Sequence, residues 1–268
     1  MPYAYRTADL VARARKWDLS QHKSVEIISM GDLHTGDAHC EWTMIRGAVD
    51  WLKEATNRYA IIPGDVFNTA ILNSVSLDLS EPPMPAKEAR HLLARILEPV
   101  RDRILAIVPG NHDDRLIKST GEDSVDALAC ELGLPYFPEG EAFLEIGVGT
   151  KSHTGRPVYY RGLVVHGTAG GRLPGGKANS LIAMRHIVHN ADFYLNGHGH
   201  TPMLIPEVAW SFDDRGNVRE QQQWFISCGS SLKRGGYPVK KSYPPLARVW
   251  PTLTLYGDGC KHMTAQAG

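Results

Sequence analysis

The sequence predicts an α/β fold in which two mixed β-sheets pack face to face with helices outside. Two patterns lead to this prediction. In the first half of the chain, short apolar runs alternate with segments of helical periodicity, as in parallel strands joined by helices. In the second half, turn signals separate closely spaced strand-like runs, which favours hairpins and mixed or antiparallel pairing.

The first half of the chain contains the clearest helix and the clearest buried strands. The segment 86–101 places Ala89, Leu93 and Leu97 on one face at helical spacing. Gly133 is expected to end a later helix, because glycine is common just after a helix end. The predicted elements are strands over 24–30, 59–62 and 104–108, helices over 41–56, 86–101 and 122–132, and a surface loop over 70–84.

Turn residues dominate the connections of the second half. The stretch 214–217, Asp-Arg-Gly-Asn, predicts a hairpin turn within 204–228. We expect a single domain over 1–268, because no linker, repeat or low-complexity block interrupts the chain. The remaining elements are an irregular or short helical lead-in over 1–22, a loop and hairpin over 134–161, strands over 161–165, 192–195 and 248–256, a helix over 178–190, a basic loop over 229–246, and a tail over about 257–268.

Composition is that of a globular protein with no strong bias towards one class of partner. Lys and Arg total 29, as do Asp and Glu, so no global charge attracts nucleic acid or anionic membrane. No apolar stretch is long enough to span a membrane, and the N-terminus lacks the apolar core of a signal peptide. The widely spaced cysteines are typical of reduced thiols in a cytoplasmic protein. They are Cys40, Cys130, Cys228 and Cys260.

Polar residues that can bind metals follow five of the predicted strands. Each motif alone is compatible with an ordinary turn, and a lone His166 with a satisfied core histidine. Their coincidence at strand ends, where open α/β sheets place their chemistry, indicates one shared site. The motifs are Asp32-Leu33-His34, Gly64-Asp65, Gly110-Asn111-His112-Asp113, His166-Gly167 and Gly197-His198-Gly199-His200.

The candidate ligands in these motifs predict a pair of metal ions. Side chains two residues apart point to the same side, so Asp32 and His34 can share one ion, as can His198 and His200. Carboxylates with imidazoles suit manganese, iron or zinc, and the absence of cysteine from the set argues against a structural zinc site. Two ions about 3.5–4 Å apart that share a carboxylate would use all the ligands. The ligands are Asp32, His34, Asp65, Asn111, His166, His198 and His200.

The five motifs occur in the order found in calcineurin-like metallophosphoesterases, and the chain is similar to that superfamily over residues 31–200. The resemblance implies an α/β fold that is a four-layer αββα sandwich of two mixed β-sheets flanked by helices. The stretch from His166 to Lys177 also resembles members encoded by phages and prophages. The ligand sets implied by the resemblance are Asp32, His34, Asp65 and His200 at one ion, and Asp65, Asn111, His166 and His198 at the other, with Asp65 as the bridge.

Hydrolysis of phosphate esters is the reaction that this resemblance implies. Two divalent ions, manganese first with iron, zinc or nickel as alternatives, would lower the pKa of a bridging water, and the hydroxide would attack phosphorus in line. His112 stands beside Asn111 but outside the ligand set, so it is free to protonate the leaving alkoxide, as the matching histidine does in the family. We therefore expect His112 and Asp65 to be catalytic, with a phosphomonoester, phosphodiester or nucleotide as the substrate.

One departure from the superfamily concerns the residue that orients His112. Its protein Ser/Thr phosphatases carry Gly-Asp-x-x-Asp-Arg, whereas this chain has Asn68 and Thr69 in place of the last two residues. Asn68 can accept a hydrogen bond, but it cannot stabilise an imidazolium as a carboxylate does. The departure weakens a protein-phosphatase interpretation and leaves Asn68 and Asp113 as alternative partners of His112.

Charged residues near the motifs are further candidates for substrate contact. Arg115, Arg172 and Lys177 could reach a phosphate, and the glycines before Lys177 allow a close approach of the backbone, although solvated side chains are an equally good interpretation. Asp37 and His39 follow the first motif, although an exposed loop is the better interpretation for them. A basic cluster could form a nucleic-acid surface, although a solvated loop is more common. It comprises Lys233, Arg234, Lys240 and Lys241 with Tyr237 and Tyr243.

Three functions remain open at this point. The first is a phosphodiesterase or phosphatase acting on a small or nucleotide-like substrate. The second is a DNA or RNA nuclease, because Gly64-Asp65-Val66-Phe67 resembles the Gly-Asp-Leu-Phe of the superfamily's double-strand-break repair nuclease; the short, neutral chain argues against it. The third is a non-catalytic metal-binding scaffold, against which His112 and the complete ligand set argue.

Overall fold

The computed structural model of the chain describes residues 12–267 except 70–82, 152–153, 169–170, 214, 236–238, 240–243, 246 and 260. Among these residues, no helix is both long enough and apolar enough to cross a membrane. The strands are β1 (Arg15–Leu19), β2 (Ser24–Ser29), β3 (Arg58–Pro63), β4 (Ile104–Val108), β5 (Glu141–Val148), β6 (Val158–Val165), β7 (Phe193–Asn196), β8 (Met203–Phe212), β9 (Val218–Ser227), β10 (Thr252–Tyr256) and β11 (His262–Gln266). The helices are α1 (Trp42–Glu54), α2 (Ala86–Leu97), α3 (Asp113–Thr120), α4 (Ser124–Leu132) and α5 (Pro174–Ile182), with 3-10 turns at Glu98–Arg103 and Ala183–His186.

The strands form two mixed sheets. The five-stranded sheet has the order β11-β10-β2-β3-β4, in which β2, β3 and β4 are parallel and β10 runs antiparallel to both of its neighbours. The six-stranded sheet has the order β1-β5-β6-β7-β9-β8, in which β6, β7 and β9 are parallel. The predicted combination of parallel and antiparallel pairing is therefore confirmed in both sheets.

Three apolar clusters separate four layers. Between the sheets, Ile27 and Ile61 of one sheet pack with Val164 and Phe193 of the other. Outside the five-stranded sheet, a second cluster joins it to α1, α2 and α4, and outside the six-stranded sheet a third cluster includes Leu181 of α5. Each fully buried aliphatic side chain contributes about 1.5–3 kcal/mol to this arrangement. The αββα sandwich expected from the resemblance is thus the observed architecture.

The ends of the helices follow from local sequence. Asp123 caps α4 by accepting hydrogen bonds from the backbone N–H groups of Val125 and Asp126, and Gly133 follows it in the left-handed conformation, as predicted. The α2 helix ends at Leu97, earlier than predicted, because Pro99 begins a tighter 3-10 turn. The predicted helix over 178–190 starts earlier, with Pro174 in its first turn, and ends as a 3-10 turn.

Two predicted irregular segments and one unassigned segment are regular in the structure. The lead-in contains β1, which pairs with β5, and the tail contains β11, which pairs with β10. Both are edge strands with few apolar residues, such as Leu19 and Met263, so their alternation is weak in the sequence. The α3 helix directly follows His112, where only a turn was predicted. Most of the predicted loop 70–84 lies outside the described residues.

Candidate metal centre

The five predicted motifs lie together at one edge of the sandwich. Asp32, Asp65 and Asn111 follow the parallel strands β2, β3 and β4, and His166 and His198 follow the parallel strands β6 and β7. Parallel neighbours end at the same edge of a sheet, so each sheet delivers its motifs to one place. The two sheets then face each other across this edge.

The first ligand group combines two carboxylates and two imidazoles. The potential donor atoms of its members all lie within 4.8 Å of one another. Nε2 of His34 lies 2.9 Å from Nε2 of His200 and 3.6 Å from Oδ2 of Asp65. Nε2 of His200 lies 3.4 Å from Oδ1 of Asp32. The group consists of Asp32, His34, Asp65 and His200.

The second ligand group shares Asp65 with the first. Asp65, His166 and His198 have potential donor atoms within 4.8 Å of one another. Oδ1 of Asn111 joins them, 3.1 Å from Nε2 of His166 and 2.6 Å from Nδ1 of His198. Nδ1 of His166 donates to the carbonyl of Pro63 at 2.9 Å, which leaves Nε2 as the nitrogen that faces the group.

The structure separates the two histidines of the Gly-His-Gly-His motif. Sequence spacing suggested that His198 and His200 could share an ion, but they belong to different ligand groups, so this suggestion was wrong. Both residues have a positive φ, 64° and 49°, so the motif is not an extended strand whose alternate side chains point the same way. The separation agrees with the ligand assignment implied by the family resemblance.

Backbone strain is concentrated at the candidate ligands. In the described part of the chain, every residue with a positive φ is either a glycine or one of five ligands. This left-handed region is unfavourable for residues with a Cβ, by about 1–3 kcal/mol each, and such strain typically marks functional sites. The five residues are Asp32, His34, Asp65, His198 and His200.

Glycines let the strand ends approach one another. A Cβ on Gly110 would lie 2.2 Å from the backbone nitrogen and Oδ1 of Asp65, and one on Gly64 would lie 2.4 Å from Nδ1 of His166. The φ of Gly110 is not in the left-handed region. Close approach to Asp65, rather than backbone freedom, therefore requires glycine at position 110.

Protons and charges inside the centre are arranged as a metal site requires. Burial opposes ionisation of Asp65, but His166 outweighs it and holds the pKa of Asp65 well below its ordinary value. Burial likewise lowers the pKa of His166, yet the hydrogen bond and charge of Asp65 raise it to about 9. The pKa of His200 is raised because Asp32 outweighs burial, whereas burial lowers the pKa of His34 far below 6.5. With a pKa of about 9, His166 therefore keeps its proton near neutral pH.

The ligand set fits two divalent cations. The close Nε2–Nε2 contact between His34 and His200 places two potential lone pairs 2.9 Å apart, which only a shared proton or a cation makes favourable. Nδ1 of His34 is buried and has no hydrogen-bond partner among the described residues, so none of them fixes a proton there. Oxygen and imidazole donors with no thiolate suit manganese, iron, zinc or nickel.

His112 lies directly beside the ligand groups. Its Nε2 is 4.0 Å from Oδ2 of Asp65, and its Nδ1 is 2.8 Å from Oδ1 of Asn68. The guanidinium of Arg115 lies 3.1 Å from both ring nitrogens. Burial lowers the pKa of His112 to about 4, with Asp65 opposing the shift and Arg115 adding to it.

Comparison with sequence models of protein families shows which family the chain belongs to. A sequence model of calcineurin-like phosphoesterases matches residues 30–202, which include all five motifs. The chain belongs to the calcineurin-like phosphoesterase family. The resemblance seen in the sequence is therefore confirmed. No curated protein matches the chain.

Several solved structures are similar to this calcineurin-like phosphoesterase. A predicted phosphoesterase of Streptococcus pneumoniae is 13% identical, with a TM-score of 0.38 over 91% of this chain and 98% of that chain. GAP50 of Plasmodium, described as the anchor in the inner membrane complex, is 13% identical, with a TM-score of 0.46 over 91% and 84%. Vps29 of Chaetomium thermophilum is 12% identical, with a TM-score of 0.37 over 91% and 97%.

Asn68 and Asp113, the alternative partners of His112, have different surroundings in the structure. Asn68 contacts the imidazole, whereas Asp113 accepts backbone N–H groups of Val66, Phe67 and Gly110 at 2.8–3.1 Å. Burial and the nearby Asp65 raise the pKa of Asp113 to about 7. Asp113 thus joins the β3 and β4 ends, and its carboxylate does not contact the imidazole of His112 in these bonds.

The predicted substrate contacts are placed unevenly around the centre. Arg115 is half-buried against His112, at the edge of the ligand groups. Lys177 instead donates to the Gly199 carbonyl at 2.7 Å and to the Thr201 hydroxyl at 2.6 Å, so its amine braces the motif that carries His198 and His200. Arg172 is exposed in the connection to α5, and its contact with phosphate stays a prediction.

Only part of the predicted basic cluster lies within the described residues. Lys233 forms an ion pair with Glu41 at 3.4 Å. Arg234 is also described, whereas Lys240, Lys241, Tyr237 and Tyr243 lie outside the described residues. The nucleic-acid interpretation of this cluster therefore stays a prediction.

Some contacts of the centre were missed in the sequence. Asp37 was interpreted as part of an exposed loop, but its Oδ2 accepts from Nδ2 of Asn68 at 2.6 Å. The buried Cys228 thiol donates to Oδ2 of Asp32 at 3.3 Å, and the Trp250 indole donates to the Gly31 carbonyl at 2.9 Å. These partners are 31 to 219 positions apart, so no local pattern signals them.

Proposed function

We propose that this protein is a phosphoesterase that uses two divalent metal ions, manganese first among them, to hydrolyse phosphodiester or phosphomonoester bonds. One observation carries the proposal. Asp65 belongs to both ligand groups, and Nε2 of His112 lies 4.0 Å from its Oδ2. A shared carboxylate with a proton donor beside it is the arrangement that two-metal ester hydrolysis needs.

Each ion would be held by one of the two ligand groups. When bound, the ions would lower the pKa of a water molecule between them and neutralise charge on the phosphate oxygens. Asp65 would contact both ions, which makes it the residue whose loss affects the whole centre. One ion would be held by Asp32, His34, Asp65 and His200, and the other by Asp65, Asn111, His166 and His198.

His112 would hold the proton for the leaving oxygen at Nε2. Burial makes the ring acidic, and a substrate phosphate beside it would favour the protonated form as Asp65 already does. An acidic imidazolium is a strong donor to a developing alkoxide. Arg115, which lies against the same ring, can donate to a phosphate oxygen.

Turnover with added metals tests the proposal. Protein stripped of metal and supplied with manganese should cleave bis-p-nitrophenyl phosphate or p-nitrophenyl phosphate. His112→Ala should lower kcat by about 10²–10⁴-fold on an ester with a basic leaving group. His91→Ala, the same substitution at an exposed position on α2, serves as the matched control and should leave kcat unchanged.

The outcomes separate the alternative functions. No turnover with manganese, nickel, zinc or iron would contradict the proposal and favour a scaffold. Degradation of labelled single- or double-stranded DNA that is lost in His112→Ala would assign the substrate to nucleic acid. A panel of phosphomonoesters, diesters, cyclic nucleotides and oligonucleotides then defines the substrate class.

A further inference from the structure

Three side chains form a hydrogen-bonded chain behind the proton donor. Oδ2 of Asp37 accepts from Nδ2 of Asn68 at 2.6 Å, and Oδ1 of Asn68 lies 2.8 Å from Nδ1 of His112. Asn68 is buried, so water does not replace either contact. We propose that Asp37 is a positioning residue that acts through Asn68 to set the tautomer and orientation of His112; this inference rests on the proposed function.

The direction of each hydrogen bond among Asp37, Asn68 and His112 follows from what each group can donate. A carboxylate only accepts, so the Asp37 contact fixes which end of the Asn68 amide is the NH₂ group. Oδ1 of Asn68 is then the atom facing His112, and Nδ1 must carry a proton to donate to it. Nε2 is left as the nitrogen that faces Asp65 and exchanges its proton with the reacting oxygen.

Arg115 does not reverse this assignment. Its NH1 and NH2 nitrogens lie 3.1 Å from Nδ1 and Nε2 of His112 respectively. The in-plane directions of the two ring nitrogens diverge, so one planar guanidinium cannot donate to both along them. Oδ1 of Asn68 is nearer to Nδ1, at 2.8 Å against 3.1 Å for Arg115, so Asn68 supplies the in-plane partner of Nδ1.

Backbone hydrogen bonds hold Asp37 and Asn68 in position. The Asp37 nitrogen donates to the His34 carbonyl at 3.1 Å, and the Asn68 nitrogen donates to the Thr35 carbonyl at 2.9 Å. Oδ1 of Asp37 accepts from the His39 nitrogen at 2.7 Å, which closes the turn after the first motif. Oδ1 of Asp37 thus contacts the turn, and its Oδ2 contacts Asn68.

This separation makes Asp37→Asn a selective test. The Asn side chain can keep Oδ1 on the His39 nitrogen, but its NH₂ group then faces the NH₂ group of Asn68. Asn68 must flip to relieve this contact, and it then presents a donor to Nδ1 of His112. The substitution is nearly isosteric, so it should reverse the tautomer without removing the turn.

Exchanging Asp37 and Asn68 should restore the hydrogen bonds that lead to Nδ1 of His112. In the double variant Asp37→Asn with Asn68→Asp, the new amide at 37 donates to the new carboxylate at 68. That carboxylate accepts from Nδ1 of His112, as Asn68 does in the natural chain. A purely structural role of Asp37 predicts no such recovery.

The experiment measures kcat on phenyl and p-nitrophenyl esters with manganese, because phenol is the more basic leaving group and depends more on the proton donor. Asp37→Asn should lower kcat on the phenyl ester at least about tenfold more than on the p-nitrophenyl ester. The double variant should recover most of that difference, and Asp37→Asn should add nothing in a His112→Ala background. Equal losses on both esters, no loss, or no recovery would overturn the proposal.

A second measurement does not depend on turnover. With zinc bound, ¹⁵N NMR of the imidazole nitrogens reports the tautomer, and His112→Gln identifies the signals. The Nδ1–H tautomer in the natural chain and the Nε2–H tautomer in Asp37→Asn support the relay; the same tautomer in both refutes it. Absence of turnover in the natural chain would contradict the proposed function, and this measurement would still decide the role of Asp37.

Discussion

Gly110 lies so close to Asp65 that one added methyl group should disable the metal centre. In Gly110→Ala, the new Cβ would lie 2.2 Å from the Asp65 nitrogen and 2.2 Å from its Oδ1. Ordinary van der Waals contact begins at about 3.4 Å, so one of the two segments must move by roughly 1.2 Å.

Neither segment is free to move without consequence. The Gly110 nitrogen donates to Asp113 at 2.8 Å and its carbonyl accepts from Asp114 at 3.0 Å, while the Asp65 carbonyl accepts from His34 at 2.9 Å. Overpacking of this kind costs about 1–3 kcal/mol of stability. A displacement of about 1 Å at a catalytic group lowers the rate by roughly 100-fold. We therefore expect a folded but nearly inactive protein with weakened binding of both ions.

Chemical unfolding, metal analysis and kcat with manganese measure the three consequences. Gly47→Ala is the matched control, because its added Cβ, in the middle of α1, has no described atom within 4 Å apart from its chain neighbours and the backbone of its own helix. That substitution should stabilise the protein by about 0.5–1 kcal/mol and leave kcat unchanged. If Gly110→Ala bound two ions and turned over at the natural rate, the steric argument would be refuted.

Three further predictions concern protons and buried bonds. Metal binding should release a proton, because a cation must displace it from His166, whose pKa is raised to about 9. Calorimetry in buffers of different ionisation enthalpy at pH 7 measures the release, and zero release would contradict the assignment. Without metal, His112 has a pKa of about 4 in the folded protein and 6.5 in the unfolded chain, so the free energy of unfolding falls as pH falls from 6.5 to about 4. His112→Gln should remove up to about 3 kcal/mol of that fall in denaturant titrations. An unchanged pH profile would count against this prediction. Asp113→Asn places an amide NH₂ against backbone N–H groups and should lower the free energy of unfolding in urea by about 1–3 kcal/mol. The neighbouring Asp114→Asn should lower it little. Equal losses of stability in the two variants would show that the bonds of Asp113 are unimportant.

The sequence predicted those features that a short stretch of chain determines. The strand 104–108 was predicted with its observed bounds, because five apolar residues precede a turn signal. The ligand motifs were found for the same reason, since each follows such a strand. The contact between Asp37 and Asn68 could not be predicted, because it spans 31 positions and depends on how two loops lie together. The edge strands β1 and β11 were missed because only one face of each is buried.

Hydrogen bonds within the protein hold the strained candidate ligands in position. Asp32 and His34 are held in the left-handed region by backbone bonds to the segment after β3, through the carbonyls of Gly64 and Asp65 at 3.0 and 2.9 Å. The His198 nitrogen donates to Oδ1 of Asp32 at 3.0 Å, which links the two sheets at the same point. The proton on His166 offsets part of the carboxylate charge in this arrangement. Because the protein's own hydrogen bonds hold these candidate ligands, metal binding at the proposed centre would require little ordering of loops, which would keep that cost out of the binding free energy.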